Sequence, residues 1–114
     1  MTDVKSLRIY LKAIELVGRI YNLIKENQNL SKDFSLCDQL KRAAVSVVTN
    51  ISEGYFRSKK QSQHYLEIAS GSANEVVTIL KIINLVYEID THFVQEEYIV
   101  LGKQINTFSS TFNR

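Results

Sequence analysis

The chain has 114 residues, a formal net charge of +2, one cysteine, four glycines and no proline. That length holds one domain with one core, and so little glycine and proline is unusual for turn-rich all-β and α/β layouts and favours few, long elements. The near-balanced total argues against a dedicated nucleic-acid binder, a lone Cys37 excludes an internal disulfide, and no apolar run approaches the roughly 20 residues of a membrane span.

The first element spans about residues 4–27. Leu7, Tyr10, Ile14, Val17, Tyr21 and Ile24 alternate spacings of three and four, and Ile9, Ala13, Leu16, Ile20 and Leu23 form a second seam beside them. Two seams make an apolar face wider than one partner helix needs. Gly18 lies mid-helix at a cost of up to about 1 kcal/mol, so close approach by a neighbouring helix is expected there. ENQNLSKDFS then reads as a loop.

The second element spans about 36–53, with Ser35 or Asp33 as N-cap and Gly54 as its stop. YFRSKK connects it to the third, about 59–88, where Ser58 and Gln61 fit a capping box. Leu66, Ala69, Ala73, Val76, Leu80, Ile83 and Tyr87 form its core line. Ile68, Ile79, Ile82 and Val86 fall off that line, and Gly71 with Ser72 leaves a low patch. Asp90 and Thr91 cap the fourth element, about 92–112, whose seam is Val94, Tyr98, Leu101, Ile105, Phe108 and Phe112. Short links near 57 and 90 imply antiparallel neighbours. The expected fold is therefore all-α, one domain over 1–114, an up-down-up-down four-helix bundle. The surplus apolar faces of the first and third elements imply self-association.

Catalytic and metal chemistry find little support. His64 and His92 are the only histidines, and His64-x-x-Glu67 has no second copy to complete a di-iron site. Ser46 and Ser72 have no histidine at a spacing that suggests a base, and ASGSANE is no phosphate loop. The expectation is a protein that is no enzyme and uses no cofactor. Cys37 reads as a helix-packing residue, and the charge-interrupted N-terminus is no secretory signal, so a cytoplasmic location is expected.

Two polar patterns stand out. Gln39, Arg42, Ser46, Asn50 and Glu53 form one line on the second element, between apolar flanks. Their residue types satisfy one another when partly buried, unlike a solvated Lys/Glu stripe. Arg42 and Glu53 are about 16 Å apart along one helix, so they meet only across two chains, or Arg42 meets Glu75. Such a line would set the register of an interface. Separately, residues 1–60 carry 11 Lys/Arg against 6 Asp/Glu, whereas 61–114 carry 3 against 6. Lys5, Arg8, Lys12 and Arg19 share a face, and Arg57, Lys59 and Lys60 cluster in a connection. They are either ordinary solubilising charge or candidate phosphate contacts.

The stretch QLKRAAVSVVTNISEG, then Arg57, YLEIASGS over 65–72 and Glu75, resembles the four-helix-bundle family of 23S rRNA intervening-sequence proteins. Gln39, Arg42, Ala43, Ala44, Ser46, Asn50, Ile51, Glu53, Gly54, Arg57, Tyr65, Leu66, Ala69, Gly71, Ser72 and Glu75 carry the likeness. Ser52 departs from the usual alanine, and the first loop lacks the proline often found there. The resemblance implies a homo-oligomeric ring, commonly a pentamer. It also implies kinship with the accessory variability protein of diversity-generating retroelements, a basic pentameric barrel that binds a reverse transcriptase and nucleic acid. Two functions are therefore expected in competition: an RNA- or DNA-associated oligomeric scaffold, and an adaptor for a partner protein without nucleic-acid affinity. Neither involves a membrane.

Overall fold

The computed structural model describes residues 4–55 and 57–111. Four long helices, α1 (Val4–Glu26), α3 (Phe34–Glu53), α4 (Lys59–Tyr87) and α5 (His92–Ser110), and one short turn, α2 (Gln28–Ser31), make a rod of 46 × 20 × 19 Å. It is a compact all-α bundle.

α1 carries the two competing seams, and the fold buries the second. Of that seam Ile9, Ala13, Leu16 and Ile20 are inside and Leu23 is partly buried, whereas of the first seam Leu7, Ile14 and Tyr21 are 44–49% exposed, Tyr10 and Val17 are partly buried and Ile24 is inside. The choice follows from width: a helix in a bundle corner offers about a third of its circumference to the core, and only one seam fits there.

The expected loop over 26–35 is more ordered than its polar composition suggests. Leu30 is fully buried and draws residues 28–31 into a helical turn. The Cys37 thiol donates to the Leu30 carbonyl at 3.1 Å. α3 consequently starts at Phe34, with Asp33 as N-cap accepting from the Leu36 N–H. The Tyr87 hydroxyl also donates to Asp33, at 2.6 Å, tying the start of α3 to the end of α4. These bonds, the hydroxyl first, hold the Asp33 carboxyl below its ordinary value.

α4 is the central element and packs against both α3 and α5. The Ser58–Gln61 capping box closes its first turn. At its other end Glu88 takes the left-handed conformation, φ 55°, a role that glycine usually fills. Gly54, the expected stop of α3, is its C-cap but ends the helix at φ −71° rather than in the left-handed conformation, and its carbonyl accepts from the buried Ser62 hydroxyl at 2.7 Å.

Small residues bring the helices together. Gly102 of α5 faces Ala73 of α4, where an added Cβ would lie 3.8 Å from the alanine methyl. Ser46 of α3 and Ser72 of α4 share a hydrogen bond of 2.8 Å. Residue numbers rise along α3 as they fall along α4 (Asp33 to Tyr87, Ser46 to Ser72). The same holds for α4 and α5, where Gln63 meets Ser109 and Leu80 meets Thr91. α1 packs on α3 and, less extensively, on α5.

Candidate functional site

The buried seam of α1 leaves part of the other seam uncovered. Val4, Leu7, Leu11, Ile14 and Tyr21 are 44–63% exposed and recur at helical spacing, so they form one outward stripe. Gly18 falls within that stripe, and nothing lies within 4 Å of the Cβ it lacks. Among the described residues nothing supplies the close helix neighbour expected at Gly18. α4 repeats the arrangement. Ile68, Ile82, Leu85 and Val86 are 39–80% exposed, Gly71 opens to space between them, and Glu75 lies in the same outward sector. Ile79, grouped with these in sequence, is instead buried at 4%. The two isoleucines are three positions apart, about 60° around the helix, which places Ile79 inside the buried sector and Ile82 outside it.

The polar line on α3 divides into a centre and two ends. At the centre, Asn50 donates to the Ser46 hydroxyl (3.0 Å) and the Ser46 carbonyl (2.8 Å), and Ser46 pairs with Ser72. This half-buried cluster pins α3 to α4 within one chain. The ends face solvent. Arg42 binds Asp38 at 2.8 Å on its own helix, not Glu75. Glu53 binds Arg57 at 3.0 Å. Gln39 and Glu75 are exposed. Local i,i+4 partners were closer than the cross-helix one, and pairs this exposed contribute little to stability.

The basic residues separate into distinct groups. Lys5, Arg8 and Lys12 line a groove of about 860 Å³ between α1 and α5. Ile9, Val100, Lys103 and Phe108 also line it. Lys12 crosses to Glu97 at 3.2 Å. Among the described residues, Lys5, Arg8 and Lys103 make no ion pair. Arg19 lies 5.4 Å over the Phe93 ring and pairs with Glu15. Arg57 lies 5.8 Å over Tyr65 as well as beside Glu53. Lys59 and Lys60 are exposed and, among the described residues, without carboxylate partners. Sequence reasoning passed over Lys103 and Val100. The available signal was an apolar residue off the α5 seam, three positions before a lysine.

His64 and His92 are both exposed, on different helices. Among the described residues no group of three or more His, Cys, Asp or Glu is arranged to hold a metal ion, and no helix is long and apolar enough to cross a membrane. Cys37 is buried, and burial, then the Asp33 charge, pushes its thiol above the ordinary value. A thiol so held stays protonated and is a poor nucleophile.

Fold and surface together define a small helical-bundle protein with apolar stripes exposed on α1 and α4. The model of the 23S rRNA-intervening sequence protein family matches residues 5–107, and the chain belongs to that family. A crystal structure from Bacteroides thetaiotaomicron VPI-5482, described as a protein with unknown function from the S23 ribosomal protein family, is similar throughout. Its TM-score is 0.85 at 24% identity, over 94% of this chain and 99% of that one, which establishes a shared fold. No curated protein matches the sequence.

Proposed function

We propose that this chain is a non-catalytic scaffold that works as a homo-oligomeric ring of up-down-up-down bundles. The observation that carries this reading is the pair of uncovered apolar stripes, Val4–Tyr21 on α1 and Ile68–Val86 on α4. A soluble single chain rarely leaves contiguous apolar surface of this extent. The two stripes are different surfaces, so the face of one copy meets the other face of the next. Such heterologous contacts close into a ring when the rotation permits. The pentamer implied by the family resemblance is one such closure. Wild-type protein is expected to sediment as a defined multiple of the chain. Leu11→Glu, which places a charge mid-stripe on an exposed position, should reduce it toward single chains with its helix content intact. Wild-type protein running as a single chain at high concentration would refute the ring.

A second reading adds nucleic acid. Ser109 donates to the Gln63 carbonyl at 3.4 Å, so the end of α5 lies beside the start of α4. That brings Lys59 and Lys60 toward the same end of the bundle as Lys5 and Arg8, which line the groove with Thr111. A ring would repeat these cations around one rim, and weak phosphate contacts gain through repetition. Structured RNA in filter binding should bind less tightly as salt rises. Lys59→Ala with Lys60→Ala should lower the slope of log K against log salt by roughly 1–2. Salt-independent retention, or an unchanged slope, would leave the adaptor role as the sole reading.

A further inference from the structure

We infer that the groove between α1 and α5 is a docking site for an acidic amphipathic helix of a partner protein. This stands whether or not the chain forms a ring. α1 rests less extensively on α5 than on α3, and the gap opens onto apolar residues that belong to the core: Ile9, 8% exposed, and Phe108, 9% exposed. Val100, 49% exposed, adds an apolar wall. Above this floor stand Lys5, Arg8 and Lys103, none with a carboxylate partner among the described residues. An occupant must therefore bring apolar side chains for the floor and negative charge for the rim. The groove extends along α5 from Glu97 to Thr111. Fourteen residues at 1.5 Å rise make about 21 Å, the length of roughly four helical turns. A helix with apolar residues at i, i+3 or i+4 and i+7, flanked by Asp or Glu, meets all three requirements.

Nucleic acid fits the groove less well. Phosphates would bind the cations but leave the apolar wall at Val100 without a matching group. The Lys12–Glu97 pair suits a peptide better, because it closes the groove without adding net charge.

The test uses the full chain and three labelled 18-residue peptides in fluorescence anisotropy. One has a leucine seam flanked by glutamates, the second has lysines in place of the glutamates, and the third scrambles the first. The acidic seam peptide should bind saturably and at least tenfold more tightly than the other two. Arg8→Glu with Lys103→Glu should reverse the preference toward the lysine peptide. Val100→Asp should weaken acidic binding at least tenfold with the thermal melt unchanged, since Val100 is half exposed. Three indistinguishable peptides, or a preference untouched by the charge reversal, would overturn the proposal. So would a charge reversal that abolishes binding of an RNA hairpin alone, which makes the groove a phosphate site. A Val100→Asp protein of lower oligomeric mass would assign the groove to a second copy instead.

Discussion

Thr91→Val is expected to destabilise the protein by about 2–3 kcal/mol, more than its single missing hydroxyl suggests. Thr91 is 1% exposed and Gln95 6% exposed. The threonine hydroxyl donates to the Leu80 carbonyl on α4 at 2.8 Å and accepts from the Gln95 amide at 2.9 Å. Although Thr91 is the N-cap of α5, its side chain makes no capping bond, because it is turned across to α4. Valine keeps the shape and leaves the Gln95 amide buried without a partner. Stranding a buried donor costs roughly 1–3 kcal/mol, whereas removing both partners together costs little. Thr91→Val with Gln95→Met should therefore recover most of the loss. Thermal melts decide it: the single variant should melt roughly 8–15 °C below wild type. Additive losses in the double variant would show that the two side chains are not coupled, and a single variant within about 0.5 kcal/mol of wild type would show that the network contributes nothing.

Tyr98→Phe is expected to act in the opposite direction. Tyr98 is 1% exposed, and its hydroxyl has no hydrogen-bond partner among the described residues. An orphaned buried hydroxyl carries a desolvation cost of about 1–3 kcal/mol, and phenylalanine removes it without opening a cavity. Alkaline pH amplifies the contrast. Burial holds the folded phenol well above its ordinary 10.0. Below pH 10 both folded and unfolded states keep the proton, and wild-type stability is fully present. Above pH 10 the unfolded phenol ionises while the folded one cannot. Stability then falls by about 1.4 kcal/mol per pH unit until the folded value is reached. Tyr98→Phe lacks this loss, so its advantage over wild type should widen between pH 10 and 11. Equal denaturation midpoints at pH 7, together with parallel alkaline losses, would mean that the hydroxyl is hydrogen-bonded after all.

Both predictions concern buried polar groups, one bonded and one not, whose state no periodicity announces. The α5 seam of Val94, Tyr98, Leu101, Ile105 and Phe108 is visible as spacing, and all five are buried or partly buried. The capping box at Ser58 is likewise written in two residues three apart. Phe112, the last member of that seam, lies outside the described residues. The loop over 26–35 shows the limit of composition. A single leucine, Leu30, outweighed its polar neighbours, because a fully buried side chain of that size gains about 2 kcal/mol.

The candidate sites were legible in kind but not in arrangement. The surplus of apolar surface on α1 and α4 follows from counting seams, yet which α1 seam faces outward does not. Both have the same period, and only the neighbours α3 and α5 break the tie. The polar line on α3 was a visible line of residue types. Its division into a pinned centre and solvated ends depends on where Ser72 arrives. Likewise the seven candidate cations are plain in the sequence, but their grouping is not. Lys103 joins Lys5 and Arg8 across a groove although more than 90 residues separate them.

Local order was determined by the sequence itself: helices and caps arise from contacts within four residues, which spacing records. The tertiary structure decided the rest, namely which apolar stripe stays outside, which polar pairs form across helices and where a groove opens. Those outcomes depend on residues far apart in the chain, brought together by the competition of all the helix faces for one small core.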